Sequence, residues 1–248
     1  MERISASFKN ECSKLFARKK YLVFLIIQMG ICGGAACVKL VSSKLSNGFF
    51  TMGNMNTALV MMSFFIEIVI PFISIMAVCE LFAAEFDSKT IRSVFMRPVE
   101  RYKVFIGKIA AVLCLAVINM TGVLLASCAA DLIISARIAN FGYALCAYAL
   151  DIVPMLVVIL MAVMINQLVK SSTMAMFLCI IVYAGLKIAG IYFPSLSGLV
   201  FTGYMQWHKI WLGGGMPYLA SAVKALLLLG YGLVFGSVGY YIFKFKEA

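Results

Sequence analysis

Long apolar runs recur along the chain between short polar stretches. Six of them are long enough to cross a hydrocarbon core of about 30 Å at 1.5 Å per residue. They fall near residues 21–38, 57–83, 109–135, 144–168, 173–193 and 218–243. The run before them has a different period. Ile4, Phe8, Cys12, Leu15 and Phe16 recur at helical spacing, with Lys9, Glu11, Lys14 and Arg18 between them. That pattern predicts an amphipathic elbow helix over residues 1–20, lying in the membrane interface. A secretory leader would begin its apolar region sooner and end in a small-residue cleavage site. The expected fold is an all-α integral membrane protein: an elbow helix followed by one six-span domain over 21–248.

Composition agrees. Of 248 residues, 64% are hydrophobic and 12% are charged, whereas soluble domains carry about a quarter charged residues. No stretch is polar and long enough to fold as a separate soluble unit. No Gly-x-x-x-x-Gly-Lys-Ser/Thr loop occurs, so ATP is not bound in that way by this chain. The eight cysteines form no Cys-x-x-Cys pair, and in apolar runs cysteine acts as a small hydrophobe. His208 is the only histidine, which leaves no basis for a zinc site or a histidine-based triad.

The net charge of +11 would suit a nucleic-acid binder, but its distribution indicates topology. With the N-terminus inside, fifteen Lys and Arg fall on the inner side and four (Lys39, Lys44, Arg137 and Lys209) on the outer. The positive-inside bias therefore places both termini in the cytoplasm of a plasma-membrane protein. The same excess implies contact with anionic lipid and no nucleic-acid partner.

Two connections stand out. The inner loop from Glu85 to Lys108 spaces Ile91, Phe95 and Val99 by four with charges between, which predicts a short amphipathic helix ended or bent by Pro98. The outer segment from Pro194 to Pro217 is too aromatic to be simply solvated and too broken to span. Tyr204, Trp207 and Trp211 suit an interfacial belt, and the segment reads as re-entrant or surface-lying. Within the spans, Glu67 lies among Phe64, Phe65, Ile66 and Ile68. A carboxylate at that depth costs about 2.5–3.5 kcal/mol on insertion scales. It is either a pathway residue, with Phe64 and Phe65, or a protonated, hydrogen-bonded packing residue. Glu80 is expected to reach the headgroups, and Lys187 and Lys224 to snorkel. Asp131 and Asp151 are expected to mark span ends, and Pro71 and Pro154 to kink their helices.

The inner loop resembles the cytoplasmic signature of type-2 ABC exporter permeases. That signature has an acidic residue (Glu85), a Gly-Thr or similar dipeptide, an apolar stretch, a proline (Pro98), then an arginine (Arg101) and a lysine (Lys108) opening the next span. Lys89 stands beside Thr90 where the family usually has glycine. The layout of elbow, six spans, coupling helix and re-entrant segment is also similar, especially to small permeases of peptide-antibiotic export and immunity systems. The resemblance implies a non-catalytic permease subunit exporting a hydrophobic or amphipathic substrate such as a peptide antibiotic, lipid or drug. It implies a separate ABC ATPase dimer that binds the ATP and Mg, with Glu85, Thr90, Arg92, Arg97, Pro98, Arg101 and Lys108 coupling to it. It also implies a second permease chain, with a pathway between the copies built mainly from the second and fifth spans and faced by Glu67. A secondary transporter or channel using Glu67, Lys187 and Lys224 is the alternative, although it would call for inverted repeats. A membrane-embedded enzyme would need clustered catalytic groups at one depth. The charge count makes a direct prediction: a fluorescent protein fused after Ala248 folds and emits, whereas a phosphatase active only outside the cytoplasm stays silent there.

Overall fold

In the computed structural model the described residues are 2–45, 57–87, 100–135, 141–169, 171–212 and 217–245. They are helical throughout, with no strand among them. The coupling helix is expected near residues 88–100, of which only Glu100 is described, so Thr90, Arg92, Arg97 and Pro98 lie outside the described residues. Six helical stretches among those described are long and apolar enough to cross a bilayer: Lys19–Val41, Ala58–Glu85, Arg101–Ile133, Phe141–Leu168, Ser172–Tyr192 and Tyr218–Phe245. The third begins earlier than hydropathy predicts. Its polar first turns, carrying Arg101 and Lys103, continue the helix without a break, and this draws Lys108 into the helix body.

Helix α1 (Glu2–Phe16) ends in a short turn at Ala17 and Arg18, and α2 (Lys19–Leu45) forms the first span. The second span has four parts: α3 (Thr57–Phe64), a π-helical turn (Phe65–Val69), α4 (Ile70–Leu81) and α5 (Ala83–Asp87). Helix α6 (Arg101–Ser135) is the third span. The fourth is broken into α7 (Phe141–Leu150) and α8 (Ile152–Leu168). Helix α9 (Ser172–Tyr192) is the fifth. A folded-back segment follows, comprising α10 (Pro194–Ser197), a 3-10 turn (Phe201–Tyr204) and α11 (His208–Leu212). Helix α12 (Tyr218–Phe245) is the sixth span.

The third and fourth spans form the middle of the bundle, with half or more of each buried, against under a quarter of the first, fifth and sixth. Helices α1 and α2 pack on α6, α4 packs on α6, α8 and α9, and α12 packs on α8. Near the end of the bundle that holds the termini, Phe82, Phe105 and Phe243 stack edge-on or tilted, with ring centroids 5.4–6.0 Å apart. They join the second, third and sixth spans. Aromatic contacts of this kind add about 0.5–1.5 kcal/mol beyond area burial.

Helix α1 sits close against α6. A Cβ on Gly107 would lie 2.9 Å from Ser7 Oγ and 3.4 Å from the Phe8 nitrogen. A branched side chain at Gly107 is therefore expected to push α1 off the bundle and destabilise it by about 1–3 kcal/mol. Gly107→Val should show this as a lower melting temperature and faster thiol labelling of Cys12, with Gly107→Ala, whose single Cβ already meets Ser7, falling between it and the wild type.

Candidate functional site

Three polar clusters stand out against the apolar background, one near the termini and two toward the opposite end.

The first is built on Lys108. Its ammonium, wholly buried, donates to Glu85 Oε2 at 2.7 Å, to the Leu81 carbonyl at 2.7 Å and to Glu11 Oε2 at 3.2 Å. Lys14 Nζ closes the square at 2.9 Å from both Glu11 Oε1 and Glu85 Oε1. Two acids and two bases from α1, α5 and α6 thus cancel one another. Burial alone would push the Glu11 carboxyl up, but Lys108 and Lys14 outweigh it and hold that carboxyl below its ordinary value. Burial would likewise lower the Lys14 ammonium, and the hydrogen bonds to Glu11 and Glu85 instead raise it. Glu80, expected among headgroups, instead accepts from Tyr21 Oη at 2.7 Å and pairs with Arg18 at 3.3 Å and with Lys20. The turn between α1 and α2 is fastened there. Glu11, expected on the polar side of α1, lies on its buried face because Lys108 stands opposite.

The second cluster follows from a proline. Pro71 has no N–H, so in α-helical register the Glu67 carbonyl four residues earlier has no donor. The chain forms a π turn there, with Ile70 N–H bonded to the Phe65 carbonyl, and Tyr183 Oη of the fifth span donates to the Glu67 carbonyl at 2.7 Å. The Glu67 side chain pairs with Lys187 at 3.2 Å and accepts from Gln206 Nε2 at 2.8 Å. Lys187 therefore does not run free to the surface; it also donates to the Thr202 carbonyl at 3.3 Å. Phe65 is fully buried, and Phe64, 5.4 Å from it edge-on, is exposed.

The third repeats the device. Pro154 denies a donor to the Leu150 carbonyl, and the fourth span breaks at Asp151, with φ −75° and ψ −5°. Asp151 is a buried residue within the span rather than a marker of its end. It accepts from His208 N at 2.7 Å and faces His208 Nδ1 at 2.8 Å. Tyr204 and Trp207 are buried rather than placed in a surface belt, and only Trp211 is about half exposed. Lys39 and Asp131 pair at 3.2 Å between the first and third spans, and Lys224 lies over the Tyr204 ring at 5.7 Å.

Of the residues singled out in the sequence, Glu85 and Lys108 come together, both turned inward onto α1. Arg101 is exposed and donates to the Lys244 carbonyl. Sequence reasoning passed over Glu11, Lys14, Gln206 and the pairing of Asp151 with His208. One signal was present for two of the sites, an acid three or four residues before a proline inside a span (Glu67 with Pro71, Asp151 with Pro154).

A multi-pass helical membrane protein with an elbow helix fastened to the base of its main loop is the class these features define. The chain belongs to the ABC-2 family of transporter proteins, whose pattern it matches over residues 7–187. Membership makes it an ABC permease subunit, a membrane component that is generally non-catalytic, rather than a secondary transporter. No curated protein matches the chain as a close relative.

Removing Lys108 alone would leave two buried carboxylates short of charge. Lys108→Met is expected to destabilise the protein by about 3–5 kcal/mol, read as a fall in melting temperature in detergent, and Glu11→Gln with Glu85→Gln in the same chain should restore much of it. Because the Glu11 carboxyl is held low, its contribution is present above the ordinary carboxylate range near pH 4 and fades as pH falls through its folded value. Lys14, held high, contributes below about pH 10 and is lost as pH rises beyond.

Proposed function

We propose that the chain is the membrane half of an ABC exporter, driven by a separate ATPase dimer that binds the ATP and Mg and docks on the side holding both termini, the cytoplasmic side. Two permease copies enclose the pathway, and the cargo is a hydrophobic or amphipathic molecule of the peptide-antibiotic, lipid or drug kind. The observation that carries the coupling side of this reading is the Lys108 square. The loop between Asp87 and Arg101 begins two residues after Glu85 and ends seven before Lys108, and both of those residues grip α1. Force applied to that loop reaches the elbow through charge-assisted bonds about twice as strong as neutral ones. On this reading, Arg92, Arg97 and Arg101 meet the ATPase. Glu85 and Lys108 pass the motion inward. The basic excess on the same side keeps that face against anionic lipid.

The test is biochemical. A P-loop ATPase encoded beside this chain should co-purify with it, and Arg97→Ala or Arg101→Ala should lower substrate-stimulated ATP turnover several-fold while the complex still assembles. Transport by the purified chain alone, along an ion gradient, would sink the proposal.

A further inference from the structure

Among the described residues, the ion pairs Asp151–His208, Lys39–Asp131 and Glu67–Lys187 lie in the half of the bundle away from the termini, and they differ in how far they are closed. The His208 and Asp151 side chains are 3% and 0% exposed, and those of Lys39 and Asp131 are 12% and 6%. Glu67 and Lys187 are 32% and 25% exposed. Their neighbours along the two spans include exposed apolar side chains: Phe64 and Ile68 on the second span, Ile188 and Ile191 on the fifth. Glu67 is ten residues into its span, about 15 Å from the start of the helix at 1.5 Å per residue. An open ion pair at such depth is poorly screened, so anything that binds it must leave the charges matched.

The pair is also held in position. Tyr183 and the π turn fix the Glu67 backbone, Gln206 orients its carboxylate, and the Thr202 carbonyl steers Lys187. A singly charged ligand would take one partner and strand the other in a low-dielectric setting, at the cost of an uncompensated charge. A ligand carrying both charges can lie antiparallel to the pair, its ammonium on Glu67 and its acidic group on Lys187, and leave nothing unmatched. An apolar tail would then rest on Phe64, Ile68, Ile188 and Ile191.

We propose that Glu67, Lys187 and Gln206 form a binding site for a zwitterionic amphiphile, one with an ammonium and an anionic group a few ångströms apart above an apolar tail. The site deepens the transport reading by naming the chemical class of its cargo, and it rests on that reading only for the word cargo; binding stands by itself.

Native mass spectrometry of the purified chain in maltoside micelles tests it with three probes: lysophosphatidylethanolamine, which carries both charges, lysophosphatidylglycerol, which is anionic, and dodecylammonium, which is cationic. The wild type should hold the zwitterion most strongly. Glu67→Gln and Lys187→Met should each weaken it by roughly tenfold or more, as for loss of one charge-assisted bond. The exchanged variant, E67K with K187E, keeps an ion pair that a zwitterion can meet in the opposite sense, so its binding should persist; this arm carries the test if the single variants fail to fold. Equal binding of the anion, lost only in Lys187→Met, would overturn the proposal in favour of an anion site, and the mirror result with dodecylammonium in favour of a cation site. Zwitterion binding unchanged in all variants, or abolished in a folded exchanged variant, would overturn it outright. Binding as expected, with no effect of the zwitterion on ATP turnover in the assembled complex, would leave the site standing and count against the transport reading alone.

Discussion

Lys108 has no access to water, and the end of the bundle that holds the termini is organised around that fact. An ammonium in an apolar interior must be neutralised and have its three donors met. Here two carboxylates and the Leu81 carbonyl do so, with the Phe82 ring 5.7 Å away closing one side. None of these acceptors comes from Lys108's own helix. The requirement therefore draws α1, the end of the second span and the third span to one point. Leu15 of α1 and Tyr21 at the start of α2, nearly fully buried, add packing that the charges alone would not supply. Buried ion pairs are poor sources of net stability but good sources of register, and register is what this one supplies. It fixes where the elbow helix lies along the third span.

Toward the opposite end, the ordering constraint is a missing donor. Each of the two mid-span prolines frees a carbonyl four residues earlier and disturbs the helix there, in one case as a π turn and in the other as a break. Unsatisfied backbone in a bilayer costs several kcal/mol per group, so such disturbances survive only where neighbours respond. Tyr183 answers the first directly. At both, an acidic side chain beside the disturbance takes hold of the folded-back segment after the fifth span, Glu67 through Gln206 and Asp151 through His208. The segment is short and irregular, and Phe201, Tyr204 and Trp207 are buried because these two acids hold it inward.

The six apolar helices were legible because hydropathy reports transfer free energy directly, and twenty-odd apolar residues leave few alternatives. Helix limits were less so: Arg101 and Lys103 look like loop residues by charge, yet the helix takes them in, since its backbone bonds do not depend on side-chain polarity. The partners of the charged residues were the least legible. Glu11 reads as a surface residue of α1 by its neighbours in sequence, and only the approach of Lys108, 97 positions away, reverses that. Lys187 reads as a snorkelling lysine for the same reason, since Glu67 stands on another helix. Long-range pairing leaves no periodic trace in a single chain. The prolines did leave a local trace, because the carbonyl each one orphans lies at a fixed offset from it.

The second span is where these constraints meet. It carries Glu67 at the π turn and Glu85 at its end, about 27 Å apart along the axis at 1.5 Å per residue. Between them α4 is regular and buried at nine of its twelve residues, packed on α6, α8 and α9. A helix so enclosed transmits displacement as a body and does not bend, because close-packed interiors have little slack. Any flexure must then fall at its ends. One end is the turn at Phe82, beside the Lys108 square, and the other is the π turn, whose freed carbonyl is held by a single hydroxyl. A displacement carried by α4 as a body therefore bears on the hydrogen bonds around Glu67, including the one to Gln206 that keeps the folded-back segment in place.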